Sequence, residues 1–511
     1  MKNQYFTTPL YYVNDRPHLG SAYTTVIVDI LNRYFKLFGS ETKFLTGTDE
    51  HGQKIQQAAE ARGLLPKAHC DEMVEAFKEA WADLEIEYDI FFRTTDEAHK
   101  ISVQKALKTL WDKGEIYAKS YGGWYSVSEE IFYTEKELVN GKTPSGREVT
   151  YIEEKNYFFK MSAYQEKLIE HINKNPNYIR PESRKNEVLG FLRQPLEDLC
   201  ISRPKSRLSW GIELPFDKNY VTYVWFDALL NYANGVGLNE PNKETEFKKW
   251  WVDADVTHFI GKDILMTHSI YWSTILLALK APLPKCIFAH GWILNRDNEK
   301  MSKSKGSVMN AKDMAALVGV EPLRYYLAHD IPLGQDAPTS VELIVQRVNN
   351  DLANNIGNLF SRSTNLITKY FFSKAPGLSD LDADAESLKK LILALPEEFK
   401  SLILEFRLTE AIDKVLALLN ETNRYLEVKA PWKTAKTDLK SAGHDLHLAL
   451  EVLALTSFLL KPIMPQKMLV ILKALGVSQL NFNDLHQLPL VKAGQNIEKP
   501  EPLFPRIQLE V

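Results

Sequence analysis

The sequence predicts an α/β protein whose parallel sheet is split by an insertion and followed by an all-helical region. Three observations carry this prediction. Strand-like and helix-like segments alternate over short joins in two separate stretches. A turn-rich stretch lies between them. After about residue 341 the apolar residues recur almost throughout at helical spacing.

The first strand is "QYFTTPLYYV", aromatic and β-branched, with a proline near its end. From Ser21 the apolar spacing is helical until Gly39 stops it. "TKFLTGTDEHG" reads as strand and loop, and "QKIQQAAEARG" as a helix that again ends at glycine. Strand–helix–strand with short joins is a βαβ unit, so the sheet is parallel. Residues 1–114 form its first half. Residues 115–200 are rich in turns, aromatics and short strand-like runs, and read as the insertion. Strand–helix–strand resumes in "NYVTYVWFDALLNYANG", "VTHFIGKDILMTHSIYWSTILLALKAP" and "KCIFAHGWIL", which assigns 201–340 to the second half. Residues 341–511 are a helix bundle with a proline-punctuated tail after Gly476.

Bulk properties narrow the class. At 511 residues the chain needs more than one core. A net charge of −4 gives no global basic field, so a nucleic-acid partner would need local patches. Cys70, Cys200 and Cys286 lie far apart, which excludes a disulfide framework and a CxxC zinc site. With no leader-like start and no apolar run of about 20 residues, a cytoplasmic protein without a membrane span is expected.

Two motifs carry the chemistry. The first is His18-Leu19-Gly20-Ser21 at a helix start. In parallel sheets ligands sit beyond the strand carboxyl ends, at helix N-termini. Gly20 would admit a ligand close to the backbone and His18 could donate to a phosphate; His18 and Ser21 equally suit a helix cap. The second is "EKMSKSKG", with Lys300, Met301, Ser302, Lys303 and Ser304, downstream of His290-Gly291. Ammoniums and hydroxyls together suit phosphate, although lysine clusters are commonly solvated turns.

Together and in this order, bracketing an insertion, the two motifs resemble those of the class I aminoacyl-tRNA synthetases. The resemblance implies a split Rossmann-like catalytic domain with an inserted connective domain. "TTPLYYVND", "GTDEHG", "YVWFDALLNY" and "FIGKDILMTHSIYW" are similar to the methionyl-tRNA synthetase family in particular, and the similarity runs over nearly the whole chain. It implies a methionine site of Leu10, Tyr12, Asp49, Trp225, Ala228, Tyr232, Ile264, His268 and Trp272, with Asp49 on the substrate ammonium. It implies ATP contacts from His18, Gly20, Ser21, Gly261, Asp263, His290, Gly291 and the 300–304 segment, with His18, Lys300 and Lys303 catalytic and Mg²⁺ accompanying ATP. It makes the bundle an anticodon-binding domain, with Asn358, Arg362, Pro431 and Trp432 reading unstacked bases of tRNA(Met), the initiator included. A thioether packs well on aromatic rings, and a carboxylate is the expected partner of an α-ammonium.

The sequence departs from the family in two places. Residues 115–199 hold no cysteine, so the zinc knuckle many members carry cannot form with thiolates, and no zinc is expected. Ser21 stands where the family's first motif ends in a second histidine. A monomer is expected from the short tail. A small-molecule nucleotidyltransferase of the same superfamily and an inactive RNA-binding paralogue are the alternative readings.

Overall fold

A computed structural model describes residues 2–129, 131–296, 298–299, 309–378, 382–499 and 501–509. Its main sheet has six strands: β1 (Gln4–Tyr12), β2 (Thr42–Asp49), β3 (Ile90–Arg93), β4 (Ile179–Arg180), β5 (Asp255–Gly261) and β6 (Cys286–His290). They lie in the order β3-β2-β1-β5-β6-β4, with every pair parallel. From β1 the chain builds outward through β2 to β3; later it returns to the other side of β1 as β5. The switch between the two directions lies at β1 and β5, where such sheets bind ligands. The edge strand β4 comes from within the 115–200 stretch.

Pro9 shapes this switch point. β1 pairs with β5 from Gln4 to Thr7 only, whereas its pairing with β2 continues, after a register shift, to Tyr12 against Asp49. A proline has no N–H to donate to a central ladder. Beyond Thr7 the two strands are no longer hydrogen-bonded to one another, which is where sheets of this topology have their crevice, between the strand carboxyl ends. Gly47 on β2 allows the close approach of β3, since a Cβ there would sit 2.0 Å from the Phe92 carbonyl oxygen.

Helix α1 (Leu19–Leu37) follows β1 and ends before Gly39, whose φ is +89°. Helices α2 (Glu97–Asp112) and α3 (Val224–Leu229) flank the other face. The insertion forms an antiparallel sheet from 116–126, 131–133 and 150–159, joined by 199–200. The bundle contains α4 (Asn358–Phe371), α5 (Ala383–Leu404), α6 (Leu408–Lys429) and α7 (Leu439–Leu460). Contrary to the sequence reading, α7 is long and apolar enough to cross a membrane, but its apolar window is entirely buried among its neighbours. It is the bundle's core helix.

Arg324 joins the bundle to the catalytic half. It is fully buried and donates to Asp29 of α1 at 2.5 Å and to the carbonyls of Leu84 and Ile463 at 3.1 and 3.0 Å. A buried guanidinium is tolerable only when charge and donors are both met, as they are here.

Candidate active site

His18 is the N-cap of α1. Its ring Nδ1 accepts from the backbone N–H of Gly20 at 3.0 Å and of Ser21 at 3.3 Å. The Ser21 hydroxyl accepts in return from the His18 N–H at 3.3 Å, which closes a reciprocal capping box. With Nδ1 as acceptor, the neutral ring carries its hydrogen on Nε2. Gly20 has a local cause too: a Cβ there would lie 3.0 Å from the His18 ring. Ser21 is thus a buried cap whose hydroxyl faces the His18 backbone.

Other residues expected to contact ATP lie beside this helix start. His290 ends β6, buried, and its Nε2 accepts from the Thr24 hydroxyl of α1 at 2.7 Å while its Nδ1–H donates to the Gly291 carbonyl at 2.8 Å. Burial lowers its pKa, consistent with that neutral tautomer. Gly291 packs directly on the Gln335 backbone, where a Cβ would come within 2.2 Å. Gly261 ends β5. Asp263 lies inside the short 3₁₀ turn Lys262–Ile264, whose N-cap is Gly261. Lys300, Met301, Ser302, Lys303 and Ser304 lie outside the described residues. The described chain resumes at Met309, whose carbonyl accepts from the Leu19 N–H at 3.3 Å.

On the other side of the crevice stands an aromatic wall. Tyr12 meets Trp225 edge-on at 6.4 Å, Trp225 meets His268 at 6.3 Å, and Tyr232 packs on His268 and Trp272 at 5.7 and 6.0 Å. Leu10, Tyr12, Trp225 and Ile264 are half-buried, while Asp49, Ala228, Tyr232, His268 and Trp272 are buried. The Tyr232 hydroxyl donates to His268 Nε2 at 2.8 Å, and His268 Nδ1–H donates to the Ile264 carbonyl at 2.9 Å. Burial pulls the His268 pKa down to about 4, against the Ile264 hydrogen bond, so the ring is neutral at pH 7. Beneath the wall, buried His258 accepts from the Trp272 indole N–H at 3.1 Å and bonds Thr7 at 2.7 Å. The arrangement is an apolar, polarizable cluster of rings with fixed polar atoms, and Asp49 at the end of β2 stands in register with Tyr12 of that cluster.

The "GTDEHG" turn sends its three titratable residues in different directions. Asp49 stays at the crevice, paired in register with Tyr12. Glu50 turns to Arg93, in two hydrogen bonds of 2.7 and 2.8 Å, and to Thr48. His51 reaches Asp227 of α3 at 2.6 Å, and His99 of α2 meets the other oxygen of the same carboxylate at 2.6 Å. Sequence reasoning missed this cluster. Its only signal was a buried-looking carboxylate inside "VWFDALL".

In the insertion, Glu129 accepts from the Thr143 hydroxyl at 3.3 Å and from the Ser145 hydroxyl, and Ser126 bonds Ser128 at 3.1 Å. The two turns are therefore tied by hydroxyls and one carboxylate. That donor set, without thiolate or imidazole, does not fit a structural zinc.

The predicted anticodon residues gather in the bundle. Arg362 of α4 stacks over the Trp432 ring at 5.6 Å and donates to Asn423 at 3.1 Å. Burial lowers the Arg362 pKa. Helix α6 ends at Ala430, in the left-handed region with φ 44°, and Pro431 opens the next short helix, so the break presents Trp432 half-buried. Asn358 borders a cavity of about 370 Å³ lined by Asn350, Asn354, Asn355, Asn420 and Asn423. Asn355 bridges Asn420 and Asn423 at 2.8 Å each. This asparagine ladder went unnoticed in the sequence.

The family model described as tRNA synthetases class I (M) matches residues 4–151 and 138–364, and that of the anticodon binding domain of methionyl tRNA ligase matches 379–510. The methionine–tRNA ligase of Clostridium acetobutylicum is 42% identical over 513 residues, covering all of this chain and 79% of that protein. The enzyme of Caldanaerobacter subterraneus is 41% identical, with 100% and 80% covered. The Mycobacterium tuberculosis methionyl-tRNA synthetase in complex with methionyl-adenylate superposes with a TM-score of 0.94 at 37% identity, covering 99% of this chain and 100% of that one.

Proposed function

The chain belongs to the methionine–tRNA ligases of the class I aminoacyl-tRNA synthetases, and from that premise we propose how its own residues carry the family's reaction. Methionine is activated with ATP to methionyl-adenylate and then transferred to the 3′ end of tRNA. The observation that carries the reading is the placement at the β1–β5 switch point of the aromatic cluster and Asp49 on one side and the His18 cap on the other.

Asp49 holds the substrate ammonium. Leu10, Tyr12, Trp225, Ala228, Tyr232, Ile264, His268 and Trp272 enclose the thioether side chain, the neutral His268 and the Tyr232 hydroxyl giving the slot fixed dipoles. The substrate carboxylate then attacks the α-phosphate of Mg²⁺-bound ATP in line, and pyrophosphate leaves. His18 donates from Nε2 to the phosphates; Lys300 and Lys303 neutralise charge as it develops, assisted by Met301, Ser302 and Ser304 of the same segment. Gly20, Gly261 and Gly291 let the nucleotide approach the backbone, Asp263 accepts from ribose hydroxyls, and His290 lines the rim. Ser21 acts through its cap on His18. No covalent enzyme intermediate is needed; positioning and charge stabilisation suffice.

At the far end, Asn358 and Arg362 bond base edges and Trp432, presented by Pro431, stacks on an unstacked base of tRNA(Met), the initiator included. We assign residues 1–114 and 201–340 to the catalytic domain, 115–200 to the connective insertion apart from its strand β4, which belongs to the catalytic sheet, and 341–511 to anticodon binding. The protein acts as a cytoplasmic monomer. It holds no zinc, because the turns of the insertion are already closed by Glu129, Thr143 and Ser145; elemental analysis finding one tightly bound zinc per chain contradicts this.

The test of the function is direct. Incubation with methionine and ATP yields methionyl-adenylate, detectable by mass spectrometry, and added tRNA(Met) transcript becomes charged. Adenylate from another amino acid in preference to methionine, or none, overturns the assignment.

A further inference from the structure

We propose that Asp227 is a positioning residue for methionine, a buried clamp that locks the loop carrying Asp49 to the helix carrying the aromatic wall; this rests on reading the crevice as the methionine site. The clamp lies outside the substrate-facing set. Asp227 is 1% exposed, and its two oxygens are each held at 2.6 Å by His51 Nδ1 and His99 Nε2, themselves 3% and 1% exposed.

The hydrogen-bond pattern fixes the roles. The Ser102 hydroxyl lies 2.8 Å from the Leu238 carbonyl, to which it donates, and 2.7 Å from the Asn234 amide, which in turn lies 2.9 Å from His99 Nδ1. An ionised carboxylate only accepts, so the His99 Nε2–H donates to Asp227. His51 donates from Nδ1 to the other oxygen. Asp227 thus receives two imidazole donors. Burial, which opposes the charge, is outweighed by the two histidines, and its pKa is lowered.

Position in the chain turns this cluster into a device. His51 is two residues beyond Asp49, at the end of β2. Asp227 sits in α3 between Trp225 and Ala228, on the helix that forms one side of the slot. His99, on α2, packs edge-on against Phe92 of β3 at 5.0 Å. Two elements that must grip opposite ends of one amino acid, the ammonium and the side chain, are therefore joined through one carboxylate anchored to the edge of the sheet. A small shift between them would change methionine binding and leave the nucleotide rim, built on α1, β5 and β6, in place.

Asp227→Asn keeps the shape but offers one acceptor where two donors point, so one histidine loses its partner. In methionine-dependent ATP–pyrophosphate exchange by the full chain, the variant should raise the KM for methionine at least about tenfold. The KM for ATP should stay within about twofold, and methionine titration followed by tryptophan fluorescence should show the same loss of affinity. An unchanged methionine KM, or equal losses for methionine and ATP, overturns the proposal. If Asp227→Asn does not fold, the His99 variants decide. His99→Gln keeps a donor near the Nε2 position and should stay close to the natural methionine KM. His99→Leu removes it and should raise that KM; equal values in both contradict the clamp. Failure of the natural chain to exchange at all would instead sink the reading of the site, and fluorescence-followed methionine binding would still decide the clamp.

Discussion

The two sides of the crevice are built by different means. The proposed methionine side is a wall of buried and half-buried rings whose ring polar atoms sit in neutral, directional hydrogen bonds: Tyr232 to His268, His268 to Ile264, Trp272 to His258. The proposed nucleotide side is a helix start, where exposed His18 is held by backbone N–H groups and by the Ser21 hydroxyl. The wall gains selectivity from side-chain identity, because each ring's place depends on its neighbour's shape. The rim depends mainly on backbone geometry. A replacement at residue 21 is tolerable there, provided the new side chain still caps the helix and leaves His18 in place. Serine, a preferred capping residue, meets that condition.

The comparison is broken most severely at its methionine side. Asp49→Ala leaves the substrate ammonium without its carboxylate in a largely desolvated slot, a loss of commonly about 3–5 kcal/mol. Methionine activation should almost vanish while ATP binding, measured by equilibrium dialysis, persists. Methionine affinity equal to that of the natural chain would place the ammonium elsewhere.

A second test uses pH, because the histidines of the wall and His329, held between Asp330 and Asp413, respond in opposite directions. Burial holds His268 neutral with a pKa of about 4, and lowers those of His258 and His290. Groups with depressed histidine pKa values are protonated sooner in the unfolded chain. Their stability is complete above pH 6.5 and is lost as pH falls toward 4, on the order of 3 kcal/mol for His268. His329 is the reverse. Burial opposes its charge, but Asp330 and Asp413, at 3.1 and 3.0 Å, outweigh it and raise its pKa. Its contribution is present below pH 6.5 and fades as pH rises through the raised value. The melting temperature should therefore fall steadily from pH 6.5 to 4, and His268→Gln should flatten part of that slope. A melting temperature constant over this range contradicts the neutral wall.

The third test leaves the crevice intact. Trp432→Ala should remove stacking worth about 1–3 kcal/mol per base. It should raise the KM for tRNA and leave pyrophosphate exchange nearly untouched. Equal losses in both assays would make Trp432 a packing residue of the bundle.

Much of this was legible in the sequence because it is local. The helix start at His18, the stop at Gly39 and the proline-interrupted first strand each follow from a few adjacent residues. The aromatic slot was reached through its resemblance to a family, since rings in a strand or helix are ordinarily core and nothing in their spacing announces a pocket. What stayed hidden depends on distant pairs. Asp227 meets His51 and His99 across 176 and 128 residues. Arg324 meets Asp29 across 295. Strand β4 is two residues long and carries no alternation of its own; it exists only because β6 offers it an edge. The capping role of Ser21 was open in the sequence and became definite only when the His18 ring was seen to turn back onto the helix.

The account stands most directly on the competence of a rim with serine at residue 21, and one comparison of exchange rates tests it. Methionine-dependent ATP–pyrophosphate exchange should be measured for the natural chain, Ser21→His and His18→Ala at saturating substrates. The natural chain should be active, Ser21→His should change kcat by less than about tenfold, and His18→Ala should lower it by more than that, since a donor to a phosphate is worth about 1.5–3 kcal/mol. A natural chain without exchange, made active by Ser21→His, would contradict the account and mark the protein as an inactive relative that binds RNA.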